Sequence, residues 1–129
     1  MSGAKLLLDT NIVIGLLKDH PPAVLLVQAS GFALAEAAVS QITRMELLSY
    51  PAMTAEEEQA IQTLLQAVTV IAIDHGVEKQ AVALRRQHNV KLPDAIIAAT
   101  AMVNNLQLIT LDKALLQTVQ KAQSTLAEN

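Results

Sequence analysis

The chain has 129 residues, the length of a single domain, and the whole span 1–129 is read as one. It carries a net charge of −3 and no cysteine, which excludes a disulfide framework, a thiolate metal site and a cysteine nucleophile, and argues against a purely electrostatic nucleic-acid binder. Phe32 and Tyr50 are its two aromatic residues, so the core has to be Leu, Ile, Val and Ala, and base stacking cannot be the main mode of holding a nucleic acid.

Leu6-Leu7-Leu8 follows a polar start and reads as a short strand buried on both faces, as in a parallel sheet covered by helices. Asp9 ends it, where open α/β sheets place their ligands. It is read either as a helix cap or turn residue, or as a carboxylate delivered to the rim of the sheet. Ile12 to about Lys18 is a first helix, broken by Asp19-His20-Pro21-Pro22. Ala23–Ala29 is a second, closed by Ser30-Gly31. No apolar run approaches the ~20 residues of a membrane span. The N-terminus also lacks a signal-peptide pattern, so the expectation is a soluble, cytoplasmic protein without a membrane partner.

Ala37–Ser40 reads as a second strand, followed by a turn over Gln41-Ile42-Thr43. Thr43 and Glu46 then have the spacing of a capping box, a structural account of Glu46. The functional alternative puts Glu46 in the first turn of a helix, at the same rim as Asp9. Tyr50-Pro51 ends that helix, and Thr54 starts another that runs to about Ala67. Glu56, Glu57 and Glu58 in its first turn suit the helix dipole and a solvated face. Val68–Ile73 is the clearest strand, rich in β-branched residues, and Asp74 closes it as a rival acid or as the cap of a helix over Val77–His88. Asn89–Pro93 is a loop. Asp94 then opens a strongly apolar, alanine-rich helix ending at Asn104-Asn105, which needs close packing on more than one side. Leu106–Thr110 is a fourth strand, Asp112 repeats the placement of Asp9, and a last helix runs from about Lys113 to Leu126.

Strands alternating with helices predict a three-layer α/β/α fold with a central parallel sheet of four strands, or five if a further edge strand is present. Right-handed crossovers bring all strand carboxyl ends to one rim. Asp9, Glu46, Asp94 and Asp112 are expected at that rim, and four carboxylates there repel one another unless a cation sits among them. An oxygen-only ligand set suits Mg²⁺ or Mn²⁺ and not zinc. Such a site supports phosphodiester hydrolysis. Arg44, Arg85, Arg86 and Lys91 are the basic residues nearest these acids in sequence. They are read as a solvated helix face, with Arg44, Arg86 and Lys91 alternatively contacting substrate phosphates.

Four segments carry a resemblance: Leu-Leu-Asp-Thr-Asn at 7–11, Ile-Thr-Arg-Met-Glu-Leu at 42–47, Lys-Leu-Pro-Asp-Ala-Ile-Ile-Ala-Ala-Thr-Ala at 91–101 and Leu-Ile-Thr-Leu-Asp at 108–112. In order and spacing they resemble the four motifs of PIN-domain ribonucleases, and the length is similar to that of the VapC-type toxins of toxin–antitoxin pairs. The resemblance spans residue 6 to about 115. It implies that Asp9, Glu46 and Asp94 are the core metal-binding and catalytic acids, with Asp112 at a fourth, more variable position. It implies supporting roles for Thr10, Asn11 and Thr110. It further implies a Mg²⁺- or Mn²⁺-dependent endoribonuclease, an RNA substrate, a cognate antitoxin whose C-terminal segment blocks the site, and a homodimer. Many members end in a further strand, whereas residues 113–129 read here as helix and tail.

Other readings compete with this one. A haloacid-dehalogenase-type phosphatase wants a second Asp where Asn11 stands, and a receiver domain wants an acidic pair where Leu7 and Leu8 precede Asp9; both are disfavoured. A PIN-domain nuclease of RNA maturation or decay without an antitoxin, and a catalytically inert PIN-like binding module, stay open at this point.

Overall fold

The computed structural model describes residues 3–128. Strands β1 (Leu6–Leu8), β2 (Ala37–Ser40), β3 (Thr69–Ile71) and β4 (Gln107–Ile109) form one sheet in the order β3-β2-β1-β4. Every pairing is parallel, with Leu7 beside Ala38 on one side and Leu108 on the other. Helices α1 (Thr10–Leu17), α2 (Pro21–Ser30), α3 (Gln41–Leu48), α4 (Ala55–Ala67), α5 (His75–His88), α6 (Leu92–Val103) and α7 (Lys113–Glu128) cover it. The expected three-layer α/β/α arrangement is the one observed. Among the described residues the sheet has four strands, and 113–128 is a single helix, so the fifth strand left open by the sequence is not found there. Nor, among the described residues, is any single helix long and apolar enough to cross a membrane.

The run of three leucines lacks alternation because the sheet is buried on both sides. Leu6 and Leu8 face Ile12 and Val13 of α1, Ala23 of α2, Leu47 of α3 and Ile61 and Leu65 of α4. Leu7 faces the opposite layer, with Val77, Ala81 and Leu84 of α5, the alanines of α6, and Leu115, Val119 and Ala122 of α7. Burying each leucine fully contributes about 1.5–3 kcal/mol. The small side chains Ala95, Ala98, Ala99 and Ala101 are all buried and let α6 lie tightly between the sheet and its neighbours. Gly15 has a similar role between α1 and α2, since a Cβ built there would stand 2.5 Å from that of Ala23.

Several boundaries differ from those expected; for α1 and α3 the cause is a nearer side-chain cap, Asp9 and Ser40. The first helix starts at Thr10, with Asp9 as its N-cap, and not at Ile12. The second starts at Pro21, whose missing N–H costs nothing in a first turn. The turn expected at Gln41–Thr43 is already helix: Ser40 caps α3 by accepting from the Ile42 N–H at 3.2 Å. The Thr43–Glu46 capping box therefore does not form. Helix α6 begins at Leu92 and not after Pro93, which puts Asp94 in its third position. Strands β3 and β4 are three residues each, shorter than the six and five residues expected. A capping box that was not expected forms instead between Thr54 and Glu57, at 3.1 Å in both directions.

Candidate active site

The exits of β1 and β4 are laced together. The Asp9 N–H donates to the Ile109 carbonyl at 3.0 Å, so both strands end at one level. Asp9 is only 4% exposed, and its carboxylate receives three donors. Its Oδ1 accepts from the Thr10 N–H at 2.6 Å. Its Oδ2 accepts from the Thr110 hydroxyl at 2.7 Å and from the Asn11 amide at 3.4 Å. Thr110 in turn accepts from the Asp112 N–H at 3.0 Å, and the Asn11 Oδ1 accepts from the Leu111 N–H at 3.2 Å. The three polar residues expected to support the site are thus all in contact with it. Asp9 is both helix cap and rim carboxylate, so the two readings of it were not exclusive.

Glu46 comes from the next strand exit. Having no capping duty, its Oε1 accepts from the Thr10 hydroxyl at 2.7 Å. Asp94 arrives from the first turn of α6, half-buried, and Asp112 from the start of α7, where its Oδ1 accepts from the Leu115 N–H at 3.0 Å. Each carboxylate is felt by others. Burial pushes Asp9 up from the ordinary aspartate range; the Thr110 and Thr10 hydrogen bonds resist this, and the charges of Asp94 and Glu46 add to it. Asp94 is also pushed up, first by burial and then by Asp112 and Glu46, with Lys91 opposing. All four acids therefore share one field. Among the described residues, however, no three acidic or histidine side chains stand close enough to ligate one ion together as they are.

Asp74 stays outside this group. It is exposed, accepts from the Val77 N–H at 2.9 Å as the N-cap of α5, and does not act on Asp9 or Asp94. The basic residues divide. Lys91 stands at the N-terminus of α6 without a side-chain cap bond, and its charge acts on Asp94. Arg44 lines a groove between α3 and α4 with Leu48, Gln62 and Leu65. Arg85 donates to the Val90 carbonyl at 3.2 Å, and Arg86 is exposed on α5. A separate cleft of about 250 Å³ between α1, α3 and α4, floored by Leu47 and Ile61, contains none of the four acids. The sequence reading missed Thr43. It is buried and not a cap, with its hydroxyl 2.9 Å from that of Thr10. A threonine three residues before Glu46 on one helix face was the available signal, and it was absorbed by the capping-box reading.

A model of the PIN domain matches residues 6–121. Among solved structures, the chain is similar to a toxin–antitoxin complex from Klebsiella pneumoniae, at 36% identity and a TM-score of 0.73, over 84% of this chain and 87% of that one. It shares its fold with VapBC-1 from nontypeable Haemophilus influenzae (24% identity, TM-score 0.71, 90% and 92% of the two chains). It likewise shares its fold with FitAcB from Neisseria gonorrhoeae (20% identity, TM-score 0.69, 89% and 93%). No curated protein sequence matches it. A family match over nearly the whole chain, on a parallel sheet with Asp9, Glu46, Asp94 and Asp112 at one rim, establishes that this protein belongs to the PIN domain family.

Proposed function

We propose that this chain is a Mg²⁺- or Mn²⁺-dependent endoribonuclease and the toxin of a toxin–antitoxin pair. The observation that carries the reading is the shared field of the four rim carboxylates. Buried Asp9 is held by Thr110 and Thr10 yet disfavoured as an anion by burial and by Asp94 and Glu46. Such a group is relieved by a cation. The donors are all hard oxygens, which fits Mg²⁺ or Mn²⁺. Mg²⁺ keeps several of its waters when bound, so acids too far apart to ligate one ion directly as they stand can share it through those waters. Asp9, Glu46, Asp94 and Asp112 would hold it.

When bound, a divalent ion supplies an activated water and neutralises charge developing on the scissile phosphate. The chain's own residues do the rest. Thr110, Thr10 and Asn11 fix the orientation of Asp9, and Thr10 fixes Glu46. Lys91, whose charge acts on Asp94, is our proposed contact to an RNA phosphate. Arg44 and Arg86 are weaker candidates for that contact, since neither is shown beside the acids. With two aromatics in the chain, RNA is held by phosphate contacts and shape more than by stacking.

The antitoxin part of the reading is supported by the 36% identity to a chain of a toxin–antitoxin complex. A homodimer working in the cytoplasm belongs to the same proposal. The test is incubation of the purified protein, freed of any antitoxin, with structured RNAs and Mg²⁺ or Mn²⁺. Cleavage is expected with the ion and not in excess chelator; undiminished cleavage in chelator contradicts the mechanism. A small protein encoded directly upstream is expected, and its co-expression is expected to suppress the activity; its absence, or failure to suppress, removes the toxin–antitoxin half alone.

A further inference from the structure

A buried threonine inside a helix ordinarily returns its hydroxyl to the carbonyl four residues back. Thr100, buried in α6, does so, donating to the Ile96 carbonyl at 2.7 Å. Thr43 does otherwise. It is fully buried in α3, and its hydroxyl lies 2.9 Å from that of Thr10, 33 residues away at the start of α1. The same Thr10 oxygen lies 2.7 Å from Glu46 Oε1, so Thr43 and Glu46, one turn apart on α3, grip one hydroxyl between them.

Proton counting gives this chain a direction. A hydroxyl has one proton and two lone pairs, and an ionised carboxylate only accepts. Thr10 must therefore give its proton to Glu46, and its oxygen is left to accept from Thr43. The order is Thr43 O–H to Thr10 O–H to Glu46 Oε1. Because Thr10 directly follows Asp9 and its N–H holds Asp9 Oδ1, the same residue ties the two carboxylates to each other.

We propose that Thr43 is a positioning residue of the acid site: through Thr10 it sets the orientation of Glu46 relative to Asp9, and so the affinity of the site for a divalent cation. This deepens the proposed nuclease reading and rests on it. Without the Thr43 proton, the Thr10 hydroxyl loses a partner and is free to turn from Glu46. Outer partners that orient metal ligands typically change metal affinity or activity by about 10–100-fold.

The test uses the full-length chain with Mn²⁺ as the probe, reading the midpoint of Mn²⁺ binding by calorimetric titration and, separately, the melting temperature with and without the ion. Thr43→Val conserves shape and removes the hydroxyl, and Thr43→Ser keeps it. The expected result is a midpoint about tenfold higher for Thr43→Val, with Thr43→Ser recovering most of the parent's response. Should Thr43→Val fail to fold by circular dichroism, Thr43→Ala against Thr43→Ser is read by the same criterion. A melting temperature lowered without Mn²⁺ but an unchanged midpoint shows a purely structural hydroxyl and overturns the proposal alone. A parent that shows no Mn²⁺ response overturns the metal-site reading and this proposal with it, and that result is visible before any Thr43 variant is made.

Discussion

Replacing Thr110 by valine keeps its shape and removes one hydroxyl that serves three groups. It donates to Asp9 Oδ2 at 2.7 Å and accepts from the Asp112 N–H at 3.0 Å and the Asn11 amide at 3.4 Å. The bond to Asp9 is charged and buried, and hydrogen bonds to charged groups contribute about 1.5–3 kcal/mol. The Asp112 N–H is nearer solvent and the Asn11 contact is long, so together they add about 1 kcal/mol or less. A loss of roughly 2–4 kcal/mol is therefore expected for Thr110→Val, which for a domain of this size lowers the melting temperature by roughly 10 °C. The loss has a pH signature. Of the bonds that hold Asp9 down toward the ordinary range, that from Thr110 is the strongest. Removing it raises Asp9 further, so the penalty is largest at neutral pH, where Asp9 is charged. The penalty shrinks as pH falls through Asp9's titration, which lies above 3.8. Urea unfolding followed by circular dichroism at neutral and mildly acidic pH reads both effects, with Thr110→Ser as the control that keeps the hydroxyl. A loss below about 0.5 kcal/mol at neutral pH, within the range of ordinary surface substitutions, refutes the claim that Thr110 holds a charged Asp9.

Asp94→Asn is expected to raise the melting temperature of the metal-free protein at neutral pH. Asp94 is raised in the fold, so its stabilising contribution is present below 3.8 and is lost as pH rises through its folded value; the amide removes that loss and flattens the pH profile, as thermal melts across pH will show. The same variant should abolish RNA cleavage with the fold intact, measured by cleavage assay and circular dichroism. Asp74→Ala removes the cap of α5 and should cost about 1 kcal/mol while the Mn²⁺ response and cleavage stay unchanged; a loss of either places Asp74 in the site. Gly15→Ala forces a Cβ to 2.5 Å from Ala23 and should destabilise by about 1–3 kcal/mol through overpacking, read by urea unfolding.

Much of the fold was legible because local signals agreed. Leu6–Leu8 declared a strand covered on both faces, and Ala37–Ser40 matches the observed strand residue for residue. Val77, Ala81 and Leu84 were readable as an inward stripe by spacing alone. Caps were harder, because Ser40 and Thr43 are both able to start α3 and only the packed structure decides between them. Ser40 wins by reaching the Ile42 N–H at the sheet exit, which frees Thr43 and Glu46 to meet Thr10. The acids were legible as strand-end residues, but separating Asp74 from the others needed three dimensions. Asp74 follows β3, two strands away from β1, and is exposed, whereas Asp9 follows β1 itself and Asp112 follows β4 directly beside it. The split of the basic residues, Lys91 toward Asp94 and Arg44 toward α4, depends on helix rotation that one charge in a sequence does not reveal.

The central claim is that Asp9, Glu46, Asp94 and Asp112 form one divalent-cation site, and Mn²⁺-dependent melting of the parent and four single variants tests it most directly. An ion that binds only the folded state stabilises it by about 2.7 kcal/mol at a hundredfold excess over its dissociation constant, a rise of several degrees here. Asp9→Asn, Glu46→Gln and Asp94→Asn should each cut that rise strongly, and Asp112→Asn should cut it less. Five proteins that respond to Mn²⁺ alike would contradict the account, because the four acids would then not act as one site.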